Sequence, residues 1–551
     1  MRYAEKLRYA RLLTASITAA AVLILVVLPA LYILGFIVTH WEEILREIFY
    51  NPVIGDTYWR DIIRFLSLSL RLSLSALLVD IVLGLALAYM LSTRRFRGLG
   101  VLEDLITLVL VLPTSGFGFA VLMTWAGTPL ADALIPIVNV PAIAFLVHVA
   151  LTLPYVVRTM TAALKSLDRN YEVVSRSLGA SRLTTFRKVV LPMITRSLIS
   201  GSTLALTRSL GETGATMVVI GVSVTASIAI VRWVFEGKLG PAAFLSAMLV
   251  AAVLLIVLPA EWLTRRRSGS ARRLRLLPDR VDRGLIRFER AVPAYLSILR
   301  DLTAVSIFVV LAIAPLASLI LDTYQFWSSD PYTGRFEGSV LYELFGPPNY
   351  YPKIVKGILT SLVVAFTATL VSTYLAIPTT LVIAKTRAGQ ILRSLLKIPL
   401  VIPTSALGLS SLLYWGSTGL VQPSIWLTIL THISFSVPIV VESMLSTYEA
   451  VKPDVLEETA RTLGATPYDV AETIIVPLVK RGLLAGSILA FTHSLGETGA
   501  TFIVMGRDIT APVLVVNMVE ALAIPAAMFT ALVLTLISLA LLLVIRLLTR
   551  E

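Results

Sequence analysis

Apolar residues run along this chain in long blocks that short polar segments separate. Twelve blocks are about 20 residues or longer, which is the length that an α-helix needs to cross about 30 Å of hydrocarbon. They predict membrane-spanning helices over 14–38, 62–91, 101–125, 134–160, 197–221 and 243–263, and again over 302–321, 357–384, 392–416, 424–446, 482–506 and 522–547. The pattern therefore predicts an all-α polytopic membrane protein.

Composition narrows the class of protein further. Of the 551 residues, 57% are hydrophobic and only 15% are charged, which excludes a soluble enzyme and a disordered chain. There is no cysteine, so a disulfide scaffold, a thiolate metal site and a cysteine nucleophile are excluded as well. The net charge of +13 favours basic cytoplasmic loops over nucleic-acid binding, because lysine and arginine concentrate on the cytoplasmic side of membrane proteins.

The distribution of basic residues predicts the orientation. Segment 161–196 holds seven lysines and arginines, whereas 39–60 holds two and 323–352 holds one. The poorly basic loops are therefore expected outside, with both termini in the cytoplasm. The first apolar run, from Leu12 to Val38, is longer than the hydrophobic region of a signal peptide, and we expect it to be a retained helix.

The predicted organisation is two halves, 1–263 and 301–551, joined by a basic segment, 264–300. This segment contains eleven arginines and three acidic residues, so it carries a charge of +8. One interpretation is a cytoplasmic linker attracted to anionic lipid headgroups. The alternative is a specific regulatory contact.

The two halves repeat one another. The sequence Ser-Leu-Gly-Glu-Thr-Gly-Ala-Thr occurs at 209–216 and again, letter for letter, at 494–501, an offset of 285. We call these two copies the repeat motifs. Because an even number of spans separates them, the halves are expected to be parallel six-helix repeats, related by a pseudo-two-fold axis along the membrane normal. A transport path is then expected at the interface between the halves.

A second pair of similar segments lies between the fourth and fifth predicted spans of each half, in loops 161–196 and 447–481. Gly179 and Pro192 are 13 residues apart, and so are Gly464 and Pro477. The glycine predicts a tight turn after a short helix, and the proline is expected to open the next helix at its first turn. Each segment therefore predicts a rigid helix–glycine–helix projection into the cytoplasm.

This spacing resembles the EAA loop of bacterial and archaeal ABC importer permeases, in which Glu-Ala-Ala precedes the glycine. The second copy keeps Glu458 and Ala460, whereas the first has Glu172 one position early, followed by Val-Val-Ser. The resemblance covers nearly the whole chain and implies two fused permease domains. The ATPase-coupling residues that it implies are Glu172, Gly179, Ala180, Pro192, Glu458, Ala460, Gly464, Ala465 and Pro477.

The resemblance also implies partners. Two copies of a cytoplasmic ABC ATPase would bind the coupling loops, and an extracytoplasmic binding protein would deliver the substrate. The chain contains no Gly-x-x-x-x-Gly-Lys-[Ser/Thr] phosphate loop, so it is expected not to be an enzyme and to bind no cofactor itself; ATP and Mg²⁺ belong to the partner. The implied location is the cell membrane of a bacterium or archaeon.

The repeat motif resembles a Leu-Gly-Glu-Phe-Gly-Ala segment of molybdate, tungstate and sulfate permeases, with Thr213 and Thr498 replacing the phenylalanine. It implies an inorganic oxyanion as cargo. Ferric iron or thiamine is the alternative, because fused permeases occur among those importers. An ion-driven secondary transporter is the alternative from a different class.

The polar positions of the repeat motifs are the candidates for lining the path or its gate. Glu212 and Glu497 are expected either to be held in pairs that fix their helices or to line the gate, since a carboxylate in a membrane is costly unless it is paired or hydrated. Arg208 and His493, four residues earlier, are the predicted partners. The eight candidates are Ser209, Glu212, Thr213, Thr216, Ser494, Glu497, Thr498 and Thr501; no metal site or catalytic residue is predicted.

Overall fold

The computed structural model describes residues 15–50, 56–265, 279–293, 295–386, 389–419 and 421–550, and within these ranges all regular structure is helical. Ten helices are long and apolar enough to cross a membrane, and two further pairs of helices would each make one bent span. The prediction of an all-α polytopic membrane protein is confirmed. The pseudo-two-fold relation between the halves stays a prediction.

Helices α1 to α12 form the first half. Their bounds are α1 Ala15–Thr39, α2 Trp41–Leu45, α3 Asp56–Thr93, α4 Leu99–Val111, α5 Thr114–Trp125, α6 Pro129–Val138, α7 Ala142–Ser166, α8 Asn170–Ser177, α9 Arg182–Gly211, α10 Gly214–Val219, α11 Ala226–Phe235 and α12 Leu239–Arg265.

Helices α13 to α24 form the linker and the second half. Their bounds are α13 Asp279–Ala291, α14 Leu296–Gln325, α15 Val340–Phe345, α16 Tyr351–Lys385, α17 Gly389–Val401, α18 Thr404–Ser417, α19 Ile425–Val451, α20 Asp454–Thr462, α21 Pro467–Gly496, α22 Gly499–Val504, α23 Ala511–Glu520 and α24 Ile524–Arg550.

The third predicted span of each half is broken, and the prediction of one helix over 101–125 and over 392–416 was wrong. Helices α4 and α5 meet at 110°, and α17 and α18 meet at 111°. Pro113 and Pro403 stand at the two bends with extended backbone, as do Leu112 and Ile402 before them. A proline has no N–H to donate and forces the preceding residue out of the helical region, so the helix ends there.

Two other predicted spans have different bounds. The fourth span, predicted over 134–160, is divided by Asn139, whose φ of 50° ends α6, and the crossing helix α7 begins only at Ala142. The fifth span, predicted over 197–221, begins much earlier, at Arg182, and stops at Gly211. The fifth span of the second half, predicted over 482–506, runs from Pro467 to Gly496 in the same way.

Four membrane helices, α1, α9, α14 and α21, contain a π-helical turn that ends two residues before a proline. In α9 the turn Phe186–Val190 precedes Pro192, which therefore lies inside a helix that begins at Arg182. Pro477 lies inside α21 in the same way, so the prediction that these prolines open their helices was wrong. The wider turn accommodates the missing proline N–H without ending the helix.

The first spanning helix of each half packs on the other half. The Ser410 hydroxyl of α18 accepts a 3.0 Å hydrogen bond from the Ile33 amide of α1, and Ser434 of α19 donates to the Leu25 carbonyl at 2.8 Å. In the opposite direction, α14 packs on α5, and Asp301 pairs with Arg94 at 3.1 Å. The core is therefore shared between the halves, with buried residues from both in one continuous cluster.

Candidate functional site

Both repeat motifs lie at breaks between two helices. Helix α9 ends at Gly211, Glu212 is extended with ψ of 124°, and α10 begins at Gly214. The second motif has the same form, with α21 ending at Gly496 and α22 beginning at Gly499. The expectation that each motif is part of one continuous span was wrong.

The two motif glutamates hold the breaks in shape. The Glu212 Oε1 atom accepts a 3.0 Å hydrogen bond from the Ala215 amide, and Glu497 Oε1 accepts one of 3.1 Å from Ala500. Each carboxylate thus caps the first turn of the short helix that follows, where a negative charge is favourable. One oxygen of each carboxylate, Oε1, thus serves to fix the helix, as one of the two interpretations expected.

A buried histidine joins the two sides of each break. The imidazole of His148 in α7 contacts the hydroxyls of Ser209, at 2.7 Å, and Thr216, at 3.0 Å, which lie before and after the break. His432 in α19 contacts Ser494 at 2.6 Å and Thr501 at 2.9 Å. Neither histidine is among the predicted site residues, although their near-equal offset in the repeat, 284, was the available signal.

We expect His432→Ala to lower the free energy of unfolding by about 2–4 kcal/mol, because it opens a cavity and leaves two buried hydroxyls short of a partner. Chemical denaturation in detergent measures this change. His40→Ala, at an exposed histidine near the end of α1, is the control. Equal unfolding curves for the two variants would contradict the assigned bridge.

The two repeat motifs meet each other at the interface between the halves. A Cβ atom added to Gly214 would lie 2.5 Å from the Thr498 Oγ1 atom and 2.6 Å from the Thr498 Cβ atom. A Cβ atom added to Gly499 would lie 2.7 Å from Thr213 Oγ1. Each threonine therefore fits into the space left by the glycine of the other motif. All eight predicted motif residues are buried at these two breaks.

Residues at the bends of the third spans complete this contact. A Cβ atom on Gly211 would lie 3.3 Å from the Pro403 Cα atom, and one on Gly496 would lie 3.0 Å from the Pro113 Cα atom. The Thr404 hydroxyl also lies 3.4 Å from the Gly211 carbonyl oxygen. The bend of each half thus packs against the break of the other half, and these prolines do more than kink one helix.

The charged groups at the breaks differ between the halves. Arg208 Nη2 lies 2.7 Å from Glu212 Oε2, whereas His493 Nε2 lies 3.9 Å from Glu497 Oε2. Arg208, His493 and Glu497 line one cavity of about 20 Å³, room for about one water molecule, together with Tyr155 of α7. A cation from the first half and a carboxylate from the second therefore face the same small cavity.

Each predicted coupling loop folds into a short helix, a glycine turn and a long helix. Gly179 has φ of 86° and Gly464 has φ of 93°, a region that other residues rarely adopt. The Ala465 amide donates to the Ala460 carbonyl at 3.0 Å, and the Ala180 amide donates to the Ser175 carbonyl at 3.2 Å. These bonds are the Schellman closure of α8 and α20, and they account for the small residue that follows each glycine.

The exposed tips of both loops are apolar. Leu178 is 83% exposed and Leu463 is 84% exposed, immediately before the two glycines. Neither leucine is among the predicted coupling residues. Among the predicted coupling residues, Glu458, Pro192 and Pro477 are also exposed, whereas Glu172 is half-buried.

A neighbouring glutamate, and not Glu458, fastens the second coupling helix. Glu457 is buried, pairs with Lys385 at the end of α16 and accepts a 3.0 Å hydrogen bond from the Tyr448 hydroxyl. At the repeat offset of 285, its counterpart in the first half is Glu172. The EAA pattern had led to the prediction of Glu458, which is exposed to solvent.

The linker makes a specific contact with the first coupling loop. Glu289 of α13 lies 2.6 Å from Arg187 Nε and accepts a 2.6 Å hydrogen bond from the Thr184 hydroxyl. Asp282, two turns before Glu289 in the same helix, pairs with Arg187 at 2.8 Å and with Lys188 at 2.5 Å. The linker helix thus docks on the start of α9, which favours the contact interpretation for this part; residues 266–278 of the linker lie outside the described residues.

Charge also sets the acid–base behaviour of this contact. Burial raises the pKa of Glu289, but hydrogen bonds from Arg187 and Thr184 outweigh it, so the pKa lies below its usual value. Hydrogen bonds from Lys188 and Arg187 lower the pKa of Asp282. A lowered folded-state pKa means that the contact is fully stabilising above the usual carboxyl values of about 4 and weakens as the pH falls through the lower ones.

We expect Glu289→Gln to loosen helix α13, with hydrogen exchange over 279–291 about tenfold faster at neutral pH, since one charged hydrogen bond is lost. Lowering the pH below about 4 is expected to have the same effect on the unmodified chain. Arg287→Gln, at an exposed position of the same helix, is the control. Unchanged exchange in Glu289→Gln would show that the ion pairs do not hold the linker helix.

Comparison with known proteins gives one family match and several relatives. Residues 66–269 match the family described as "Binding-protein-dependent transport system inner membrane component". The sulfate transport system permease protein CysT of Salmonella typhimurium is 35% identical over 196 residues, which are 34% of this chain and 70% of that protein.

Two further relatives are named for molybdate and tungstate and for molybdenum. The molybdate/tungstate transport system permease protein WtpB of Pyrococcus furiosus is 30% identical over 189 residues, 34% of this chain and 73% of that protein. The molybdenum transport system permease protein ModB of Mycobacterium tuberculosis is 35% identical over 161 residues, 28% of this chain and 61% of that protein.

Proposed function

Because the chain belongs to the family of binding-protein-dependent transport system inner membrane components, we propose that it is the permease subunit of an ATP-driven importer of an inorganic oxyanion. It is a transport component and not an enzyme. Sulfate, molybdate and tungstate are the proposed cargo, since the names of its relatives carry these anions. The two halves of this one chain would supply both walls of the path.

One observation carries the proposed mechanism: each coupling loop and each break are the two ends of one helix. Helix α9 runs from Arg182, next to Gly179, to Gly211, and α21 runs from Pro467, next to Gly464, to Gly496. Each has 30 residues and is therefore about 45 Å long. A displacement of either loop would move the corresponding break directly, because a helix is stiff along its axis.

The two breaks are proposed to form the closed gate. Thr498 fills the space beside Gly214 and Thr213 fills the space beside Gly499, so the two motifs are in close contact there. Moving α9 and α21 apart would withdraw both threonines at once. Alternating access then follows from whether the two coupling loops are held together or apart.

The exposed loops before helices α9 and α21 indicate where the proposed partners would bind. We propose that two copies of a cytoplasmic ATPase, which bind ATP and Mg²⁺, dock on α8 and α20, where Leu178 and Leu463 present apolar side chains to solvent. A substrate-binding protein would dock on the opposite face. Both termini would then lie on the cytoplasmic side of a bacterial or archaeal cell membrane.

The cargo class agrees with the charges at the gate. Arg208 is the cation beside the small cavity, and the hydroxyl-bearing residues Thr114, Thr492 and Tyr155 line it as well. A guanidinium matches the geometry of a tetrahedral oxyanion and remains charged at any physiological pH. One oxygen of each of the Glu212 and Glu497 carboxylates accepts a hydrogen bond from a helix amide, which partly neutralises the negative charge beside the path.

The decisive experiment is to purify the tagged chain from its native membrane in mild detergent and to identify the proteins that accompany it by mass spectrometry. We expect an ATPase and a binding protein. In proteoliposomes, the binding protein loaded with sulfate, molybdate or tungstate should stimulate ATP hydrolysis. Stimulation by ferric iron or thiamine alone would overturn the cargo, and uptake driven by an ion gradient without an ATPase would overturn the mechanism.

A further inference from the structure

A large basic cavity lies beside the first coupling helix. It has a volume of about 620 Å³ and opens between the end of α3, helix α8, the start of α9, and the linker from α13 to α14. Two carboxylates line it, Glu172 and Glu289. Six arginines line it as well: Arg94, Arg169, Arg176, Arg182, Arg290 and Arg300.

Half of these arginines already have partners. Arg94 and Arg300 both pair with Asp301, at 3.1 and 2.5 Å, and Arg169 donates to the Ser92 carbonyl at 2.5 Å. Glu289 is engaged by Arg187 from outside the cavity.

The other three arginines, Arg176, Arg182 and Arg290, are exposed, and their guanidinium groups form no ion pair or hydrogen bond within the part of the chain that the structure describes. They come from three different elements, the coupling helix, the start of α9 and the linker helix. Three guanidinium groups without a carboxylate partner therefore line one cavity, and an anion between them would accept charge-assisted hydrogen bonds from three elements.

The cavity lies at the ends of two spanning helices, where lipid headgroups are expected. Tyr89 and Thr93 belong to the last turns of the spanning helix α3, and Leu296 and Ser297 belong to the first turn of the spanning helix α14. The Arg300 guanidinium lies 5.3 Å from the centre of the Tyr89 ring. The site therefore combines apolar walls on the membrane side with guanidinium groups on the cytoplasmic side.

The second half differs at the equivalent place, because side chains of the protein itself hold its coupling helix. There Glu457 ties the coupling helix α20 to the end of α16 through Lys385 and Tyr448. Its counterpart Glu172 has no ion pair among the described residues, and the residue that stands in place of Lys385 at the end of α3 is Thr93. The first coupling helix thus lacks the buried ion pair of the second one, and its contact with the end of α3 is the hydrogen bond from Arg169 to the Ser92 carbonyl.

We propose that this cavity binds a phosphate-bearing anion, which ties the first coupling helix to the linker helix and to the membrane end of α3. Arginine forks bind phosphate through paired hydrogen bonds, and the cavity has room for a phosphate group with its substituents. The anion is either the headgroup of an acidic phospholipid or a soluble phosphate compound. Binding itself does not depend on the transport function; only its consequence for coupling rests on the proposed function.

The test uses the purified full chain in nanodiscs, without ATPase. Hydrogen exchange over residues 170–177 is measured in phosphatidylcholine alone, in phosphatidylcholine with phosphatidylglycerol, and in phosphatidylcholine with added pyrophosphate. Slower exchange with phosphatidylglycerol identifies a lipid headgroup, and slower exchange with pyrophosphate identifies a soluble ligand. No protection by either anion overturns the proposal.

Two double variants locate the site. Arg176→Gln with Arg182→Gln is expected to weaken the protecting interaction about tenfold or more, as the loss of charge-assisted hydrogen bonds predicts. Lys452→Asn with Lys480→Gln removes the same charge from exposed positions of the second half and is expected to leave it unchanged. Equal protection in both double variants would overturn the assignment to this cavity, and matching unfolding temperatures would exclude misfolding as the cause.

Discussion

Gly464→Arg is expected to reduce ATP-driven uptake by the reconstituted importer at least about tenfold, while the chain still inserts and purifies normally. Gly464 adopts φ of 93°, where a side chain costs about 1–2 kcal/mol, and it closes helix α20 with a 3.1 Å bond from its amide to the Arg461 carbonyl. Open space surrounds the glycine, so the chain itself is not overpacked. The change instead redirects the tip that carries Leu463 and places a long charged side chain on the surface proposed to meet the ATPase.

Two variants separate these effects. Gly464→Asn is expected to retain much of the uptake, because asparagine tolerates positive φ better than other residues and is small. Gly100→Arg, at an exposed glycine with ordinary helical backbone and open space around it, is expected to have no effect. Unimpaired ATP-driven uptake in Gly464→Arg would overturn the assignment of this loop to energy coupling.

Gly214→Ala is expected to make the path leak. The new methyl group would lie 2.5 Å from Thr498 Oγ1 and 2.6 Å from Thr498 Cβ, so the two breaks must separate or distort. Overpacking of this kind costs about 1–3 kcal/mol, which acts against the closed arrangement and favours open states about five- to 150-fold. Passive efflux of labelled sulfate from proteoliposomes, without ATP, measures the leak.

The neighbour across the interface offers a direct check. Thr498→Gly removes the two nearest atoms that the alanine would meet and leaves Thr114 Oγ1 at 3.1 Å, so the double variant Gly214→Ala with Thr498→Gly is expected to leak less than Gly214→Ala alone. Gly116→Ala is the matched control, because its methyl group would lie at an ordinary 3.5 Å from Ala531. A tight membrane in Gly214→Ala, or an equal leak in the control, would contradict the location of the gate.

The helix breaks show where prediction from sequence reached its limit. The size of the bends at Pro113 and Pro403, about 110°, could not be predicted from the sequence, because it depends on the other half, whose Gly496 and Gly211 leave room for the proline backbone. The motif glutamates were correctly expected to have Arg208 and His493 as neighbours. That each also caps a new helix could not be read from helical spacing, since the spacing argument assumed one continuous helix.

Run lengths, local preferences and repeats in the sequence were enough to predict the class of protein, the approximate positions of most spans, the internal repeat, the glycine turns at Gly179 and Gly464, and the family. These features depend on apolar run length, local backbone preference and matching letters, which are properties of neighbouring residues. Three features are visible only in the folded protein: the two repeat motifs touch, His148 and His432 bridge the breaks, and the linker helix docks on one coupling loop. Those contacts join residues that are far apart in the chain, and their geometry depends on how all the helices pack together.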